Sequence, residues 1–177
     1  MKCVLPIMLC VSLLMGCAGP KTYETMTDFY YAPEPPKPAE VALWLPENAT
    51  LDVLKDETAG TLYLCDGYTV SVQTMESGDL DATLCAVTGY GKQALHGIGW
   101  QRDGISRYEC AWASAGEGGD QIGRTVVLDD GDYHYVVTVM GQAELAGAMT
   151  DTWQTITDSA ALDIAPLHPD TAAGTDQ

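Results

Sequence analysis

Three Asp-Gly pairs, at residues 66–67, 103–104 and 130–131, each fall between two runs rich in Thr, Tyr, Val and other strand-forming residues. Asp-Gly readily supplies the positive φ angles of a two-residue type I′ turn, whose twist matches that of antiparallel strands. Three hairpins are therefore expected, joining residues 61–65 to 68–75, 95–101 to 107–113, and 122–128 to 133–140. Side chains alternate along them. Leu62 and Leu64 share a face, as do Val70 and Val72, while Tyr108, Cys110 and Trp112 point away from Arg107, Glu109 and Ala111.

A change of period interrupts the hairpins twice. Leu80, Leu84 and Val87 recur at i, i+4 and i+7, with Asp79 placed to cap and Gly89 to stop, which predicts a helix of about ten residues. Leu145, Met149, Trp153 and Ile156 form a longer stripe, predicting a helix over 142–158. Burying Trp153 removes some 200 Å² from water, so this helix should be central to the core. The order ββα-ββββ-α gives an α+β domain, an antiparallel β-sheet of about six strands in hairpins with two packed helices. The single domain is expected over residues 43–164, opening with Trp44 as a core or lid residue, and 165–177 reads as a disordered tail.

The N-terminus sets location. Lys2 precedes a run from Val4 to Met15 with little polar interruption, the pattern of an export signal. At about 12 residues it is too short for a bilayer, which takes about 20. The run closes on Leu14-Met15-Gly16-Cys17, which resembles the lipobox of bacterial lipoproteins, with Leu14 at −3, Gly16 at −1 and Cys17 as the modified residue. The resemblance implies a signal peptide of residues 1–16, a diacylglyceryl (palmitate-type) membrane anchor on Cys17, and a place on the cell membrane or outer membrane facing the extracytoplasmic space. Two or more acyl chains anchor stably, since each buried methylene contributes about 0.8 kcal/mol. Residues 17–42, with Pro20, Pro33, Pro35, Pro36 and Pro38, then read as the lipidated N-terminus and a Pro-rich tether.

Eight Lys and Arg against 25 Asp and Glu give a formal charge of −17, and no basic stripe interrupts it. Such a surface repels a polyanion, so nucleic acid is not an expected partner. Beyond the anchor only Cys65, Cys85 and Cys110 remain, an odd number without paired C-x-x-C spacing, so neither a disulfide framework nor a zinc site is indicated. If one pair forms, Cys85 with Cys110 is expected, because a helix laid on the sheet would bring them together.

Catalytic motifs are not apparent. Asp129-Asp130-Gly131-Asp132 could gather oxygens for calcium, yet Asp130-Gly131 already explains itself as a turn. His96, His134 and His168 share no motif, His134 being read as a surface or edge histidine, and no Gly-x-Ser-x-Gly elbow presents a nucleophile. The most suggestive surface is the Gly-rich loop 116–121 with Glu117, Asp120, Arg124, Tyr133 and Tyr135, since loops on a rigid sheet often carry recognition.

The element order, with its closing helix ending in Trp153-Gln154-Thr155-Ile156-Thr157-Asp158-Ser159 and a short apolar piece beyond, is similar to the PsbP-like fold, which includes envelope lipoproteins of the DcrB type. That resemblance implies an accessory role without catalysis and offers no catalytic motif to carry over. The expectation is a binding or accessory module of the cell envelope, needing no cofactor or metal, whose partner is an envelope protein or small ligand. The alternative is a metal-binding or hydrolytic envelope protein with an unrecognised site.

Overall fold

The computed structural model describes residues 36–52, 60–115 and 118–163. The Leu14–Cys17 box, Glu117 and the tail from 165 lie outside them. Seven antiparallel strands make one sheet in the order β2-β3-β4-β8-β7-β6-β5. They are β2 (Thr50–Asp52), β3 (Thr61–Cys65), β4 (Tyr68–Glu76), β5 (His96–Arg102), β6 (Ile105–Ser114), β7 (Gln121–Asp129) and β8 (Tyr133–Gln142). A separate ribbon pairs β1 (Glu40–Ala42) with β9 (Ala161–Asp163).

All three hairpins form at the Asp-Gly pairs, but their turns differ. Asp103 and Gly104 both have positive φ, 52° and 83°, as type I′ requires. At Asp66-Gly67 only the glycine does, with φ 82°, so that turn is not the type I′ expected. Asn48 there donates its amide to the Asp66 carboxylate at 2.9 Å. Three short strands, β1, β2 and β9, add to the hairpins. Residues 40–42, assigned to the tether, pair with residues 161–163, a contact between chain ends that no local period reveals. The described fold thus begins ahead of residue 43.

Each helix covers one face. α1 (Leu80–Thr88) is capped by the Asp79 carboxylate and stopped by Gly89 in the left-handed region at φ 80°. It lays Leu84 among Tyr108, Cys110, Val127 and Val136. α2 (Ala143–Ser159) covers the opposite face, where Trp153 and Ile156 pack with Tyr68, Val70, Val137 and Val139. Trp44 is not in the core. Val41, Leu43 and Leu45 turn inward against α2's cluster, and alternation leaves Trp44 half exposed.

With helices on both faces, the central strands β7 and β8 are buried on both, which gives continuous apolar runs such as Val126-Val127-Leu128. Trp153 is almost wholly buried, its ring centroid 5.8 Å from that of Tyr68, and its indole N–H finds no partner among the described residues. Trp153→Ala should therefore destabilise the domain by about 3–5 kcal/mol. Trp153→Phe should cost clearly less, because it keeps an aromatic ring and removes an unpaired buried donor. Denaturant midpoints of the two variants check the order.

Candidate functional site

The two edges of the sheet are unlike. β2 spans three residues and ends in Asp52, a short edge carrying a charge. β5 runs His96-Gly97-Ile98-Gly99-Trp100-Gln101-Arg102 with every residue exposed and no proline or carboxylate to blunt it. Ile98 is 64% exposed and Trp100 45%, although both are large apolar residues on a strand.

The glycines explain why β5 stays attached. On the α1 face the Tyr108 ring lies against the strand, and a Cβ at Gly97 would collide with its hydroxyl. Lys92, in a 3-10 turn before β5, sets its ammonium 5.3 Å from the same ring's centroid. His96, Ile98, Trp100 and Arg102 stand on the other face, opposite Ala111, Glu109, Arg107 and Ile105.

Arg107 organises that face. Its guanidinium donates to Glu109 Oε1 at 2.7 Å through Nε, to Ala160 O at 2.7 Å through Nη1, and to Thr157 O at 2.6 Å through Nη2. α2 has no basic residue in its own last turn, so Arg107 supplies the cation that its C-terminal carbonyls favour. The Trp100 ring covers the guanidinium at 5.4 Å. Two depressions flank this clamp and share Glu109. One, of about 550 Å³, is lined by Trp100, Leu128 and Leu162 and by the charged Arg102, Asp103 and Asp158. The other, of about 390 Å³, is lined by His96, Ile98, Glu109, Arg124 and Thr157. Together they make a groove of mixed apolar and charged lining beside a strand edge that no other strand of the described residues covers.

The residues singled out in the sequence are not brought together. Asp120 precedes β7, whereas Tyr133 begins β8, so they lie at opposite ends of the hairpin, roughly 33 Å apart at ~3.3 Å per residue. Asp120 caps α2 through its backbone, its carbonyl accepting from Ala143 N at 2.8 Å. Tyr133 donates its hydroxyl to Pro36 O, and the Tyr135 hydroxyl accepts from Ala39 N while donating to Asp130 Oδ2. Both tyrosines fasten the entering chain. Only Arg124 reaches the groove.

Asp129 and Asp130 are likewise occupied. Asp129 Oδ1 accepts from Ser77 Oγ and Gly131 N, and Asp130 Oδ1 accepts from the N–H groups of Asp132 and Tyr133. No group of three or more His, Cys, Asp or Glu able to hold a metal occurs among the described residues. The Cys85–Cys110 bridge is also not formed. α1 does lie over Cys110, but it presents Leu84 there and leaves Cys85 exposed on its outer side. Cys110 is buried, which pushes its thiol up to about 11.

His134 is a core residue, not the surface or edge histidine expected. Its Nδ1 lies 2.7 Å from Thr83 Oγ1, and Nε2 lies 3.7 Å from Asp129 Oδ2. This resembles a hydroxyl–imidazole–carboxylate triad in order. Yet Thr83 is 7% exposed and His134 1%, with the hydroxyl in the middle of α1, so the array braces the helix to the sheet. What the sequence did signal at β5 was alternation of Gly97 and Gly99 with Ile98 and Trp100, a strand with one bare face and one apolar face.

No protein-family model and no curated protein matches the sequence. Among solved structures, the crystal structure of LpqN, involved in cell envelope biogenesis of Mycobacterium tuberculosis, is similar at 13% identity and a TM-score of 0.47, covering 71% of this chain and 86% of that one. The solution structure of cyanobacterial PsbP from Synechocystis is similar at 10% identity and a TM-score of 0.48, covering 71% and 94%. At such values the similarity describes backbone arrangement and nothing of activity.

Two outcomes are expected. Arg107→Ala leaves Glu109 and two helix-end carbonyls without their donor and should cost about 3 kcal/mol, with Arg107→Lys recovering only part because an ammonium lacks the planar fork. The second concerns pH. Burial, then the Asp130 carboxylate beside it, pushes the Tyr135 phenol up to about 12. Burial opposes ionisation of Asp130, but hydrogen bonds from Tyr135 and the backbone of Tyr133 and Asp132 outweigh it and hold the carboxyl below its ordinary value. The raised phenol stabilises the fold below its ordinary value of about 10, and that contribution is lost as pH rises towards the folded value. The depressed carboxyl stabilises above about 3.9, and that is lost as pH falls through its folded value. Tyr135→Phe should cost about 1–3 kcal/mol near neutrality and proportionately less in strong base, read from denaturant midpoints across pH.

Proposed function

We propose that the chain is a lipid-anchored extracytoplasmic lipoprotein whose domain serves the cell envelope as a binding module without catalysis, and that its contact surface is the β5 side of the sheet. The observation that carries this reading is the combination on one edge of a seven-residue strand whose outer side is unpaired among the described residues, two exposed large apolar side chains and the adjoining groove. Exposed apolar residues rimmed by polar ones mark contact surfaces. An unpaired strand edge adds main-chain donors and acceptors for an extended partner.

The chemistry of the groove supports binding over reaction. Its most buried charged group, the Arg107 guanidinium, spends its donors on Glu109 and on α2. The Leu14-Met15-Gly16-Cys17 box supports the anchor. Among the described residues no helix is long and apolar enough to cross a membrane.

Co-purification from native membranes tests both halves. Ile98→Ser with Trp100→Ser should lose whatever the intact chain captures, while Cys17→Ser should release the chain from the membrane fraction. Capture unchanged by the β5 pair would contradict the assigned surface, and membrane retention of the Cys17 variant would contradict the anchor.

A further inference from the structure

Resting on the reading of β5 as the contact surface, we infer that its occupant is a second copy of this chain, joined by antiparallel pairing of the two β5 edges about a two-fold axis through Gly99. Closed two-fold contacts use one patch twice, so the patch must complement itself. Gly99 is the midpoint of His96–Arg102, and an axis there pairs all seven residues. Ile98 then stands opposite Trp100 of the second copy, and Trp100 opposite its Ile98, so both exposed apolar residues are covered twice over.

Moving the axis breaks this match. Through Ile98 it would oppose Trp100 to His96, and through Trp100 it would oppose Ile98 to Arg102. On the α1 face the Gly99 axis sets Gly99 against Gly99 and Gly97 against Gln101, leaving no two bulky groups opposed.

Charge selects the same edge. The chain carries −17, so two copies repel over most of their surface. β5 holds no carboxylate, and of the five Lys and Arg among the described residues four, Lys92, Arg102, Arg107 and Arg124, lie on β5 to β7 or just before β5. His96 would face Arg102 of the other copy, and Arg102 already has Asp103 3.3 Å away. Among the described residues this edge is where most of the cations gather, on a strand that adds no carboxylate of its own.

The register can be read by crosslinking the full chain in its membrane, with Cys85, the exposed native thiol, changed to Ser. Residues paired across an antiparallel axis have Cα atoms about 4.5–5.5 Å apart, within the ~4.4–6.8 Å a disulfide spans. Gly99 accepts a Cβ, which would meet Tyr108 at 3.4 Å and Arg107 O at 3.5 Å, ordinary contacts. Gly99→Cys should double in mass on a non-reducing gel after mild oxidation. Gln101→Cys should not, because its two thiols would be offset by four residues, about 13 Å.

A second measurement is independent of cysteine. The detergent-solubilised chain should have the mass of two copies, and Ile98→Lys, at an exposed position, the mass of one. Absence of a Gly99→Cys dimer together with a single-copy mass for the unaltered chain would overturn self-pairing. If Ile98→Lys nevertheless abolished capture of another envelope protein, β5 would stand as the contact surface with a different occupant. If capture too were unaffected, both readings would fall.

Discussion

The contact on which the β5 face depends is the one Arg107 makes with the end of α2. A single guanidinium reaches from β6 to two carbonyls of the helix terminus and to Glu109 on its own strand. It holds carbonyls at the end of α2 just ahead of β9. Its upper surface is covered by Trp100, which sets the tryptophan as a wall of the groove. A charge held this way must be fully bonded, since an isolated buried guanidinium would cost several kcal/mol. The groove on either side is lined by apolar groups together with charged and polar ones, among them His96, Arg124, Asp103 and Asp158.

The two ends of the sheet divide the labour. At one end of the β7–β8 hairpin, Tyr133 and Tyr135 hold Pro36 and Ala39, so the chain enters the fold there, next to the β1–β9 ribbon. Along the β5 side, nothing in the described residues covers Ile98 or Trp100. Entry and exposed edge are thus served by different residues, and strengthening one need not weaken the other.

What could be read from the sequence was whatever depends on near neighbours. The Asp-Gly hairpins, the Asp79 and Gly89 limits of α1, and the stripe ending in Trp153 and Ile156 all follow from spacings of a few residues. What escaped depends on partners far along the chain. Arg107 looks like an ordinary outward-facing polar residue until α2, some fifty positions later, brings its carbonyls over it. Tyr133 and Tyr135 look like surface aromatics because alternation cannot tell which face will be covered, and in β8 both are. The continuous run in β7 and β8 was the available sign that these strands are central. By elimination it would have pushed β5 to the edge.

Self-pairing makes β5 a covered edge in the two-copy form and a free one in a single copy. Hydrogen exchange over residues 96–102 of the intact chain measures this directly, since half of a strand's amides point to its outer neighbour and are protected only when that neighbour is present. Self-pairing predicts slow exchange along β5 in native membranes and in the solubilised two-copy chain, and a marked acceleration in Ile98→Lys, with β4 and β8 unchanged. Equally fast exchange of β5 with and without the Ile98 change, with protection gained elsewhere on the domain, would contradict it.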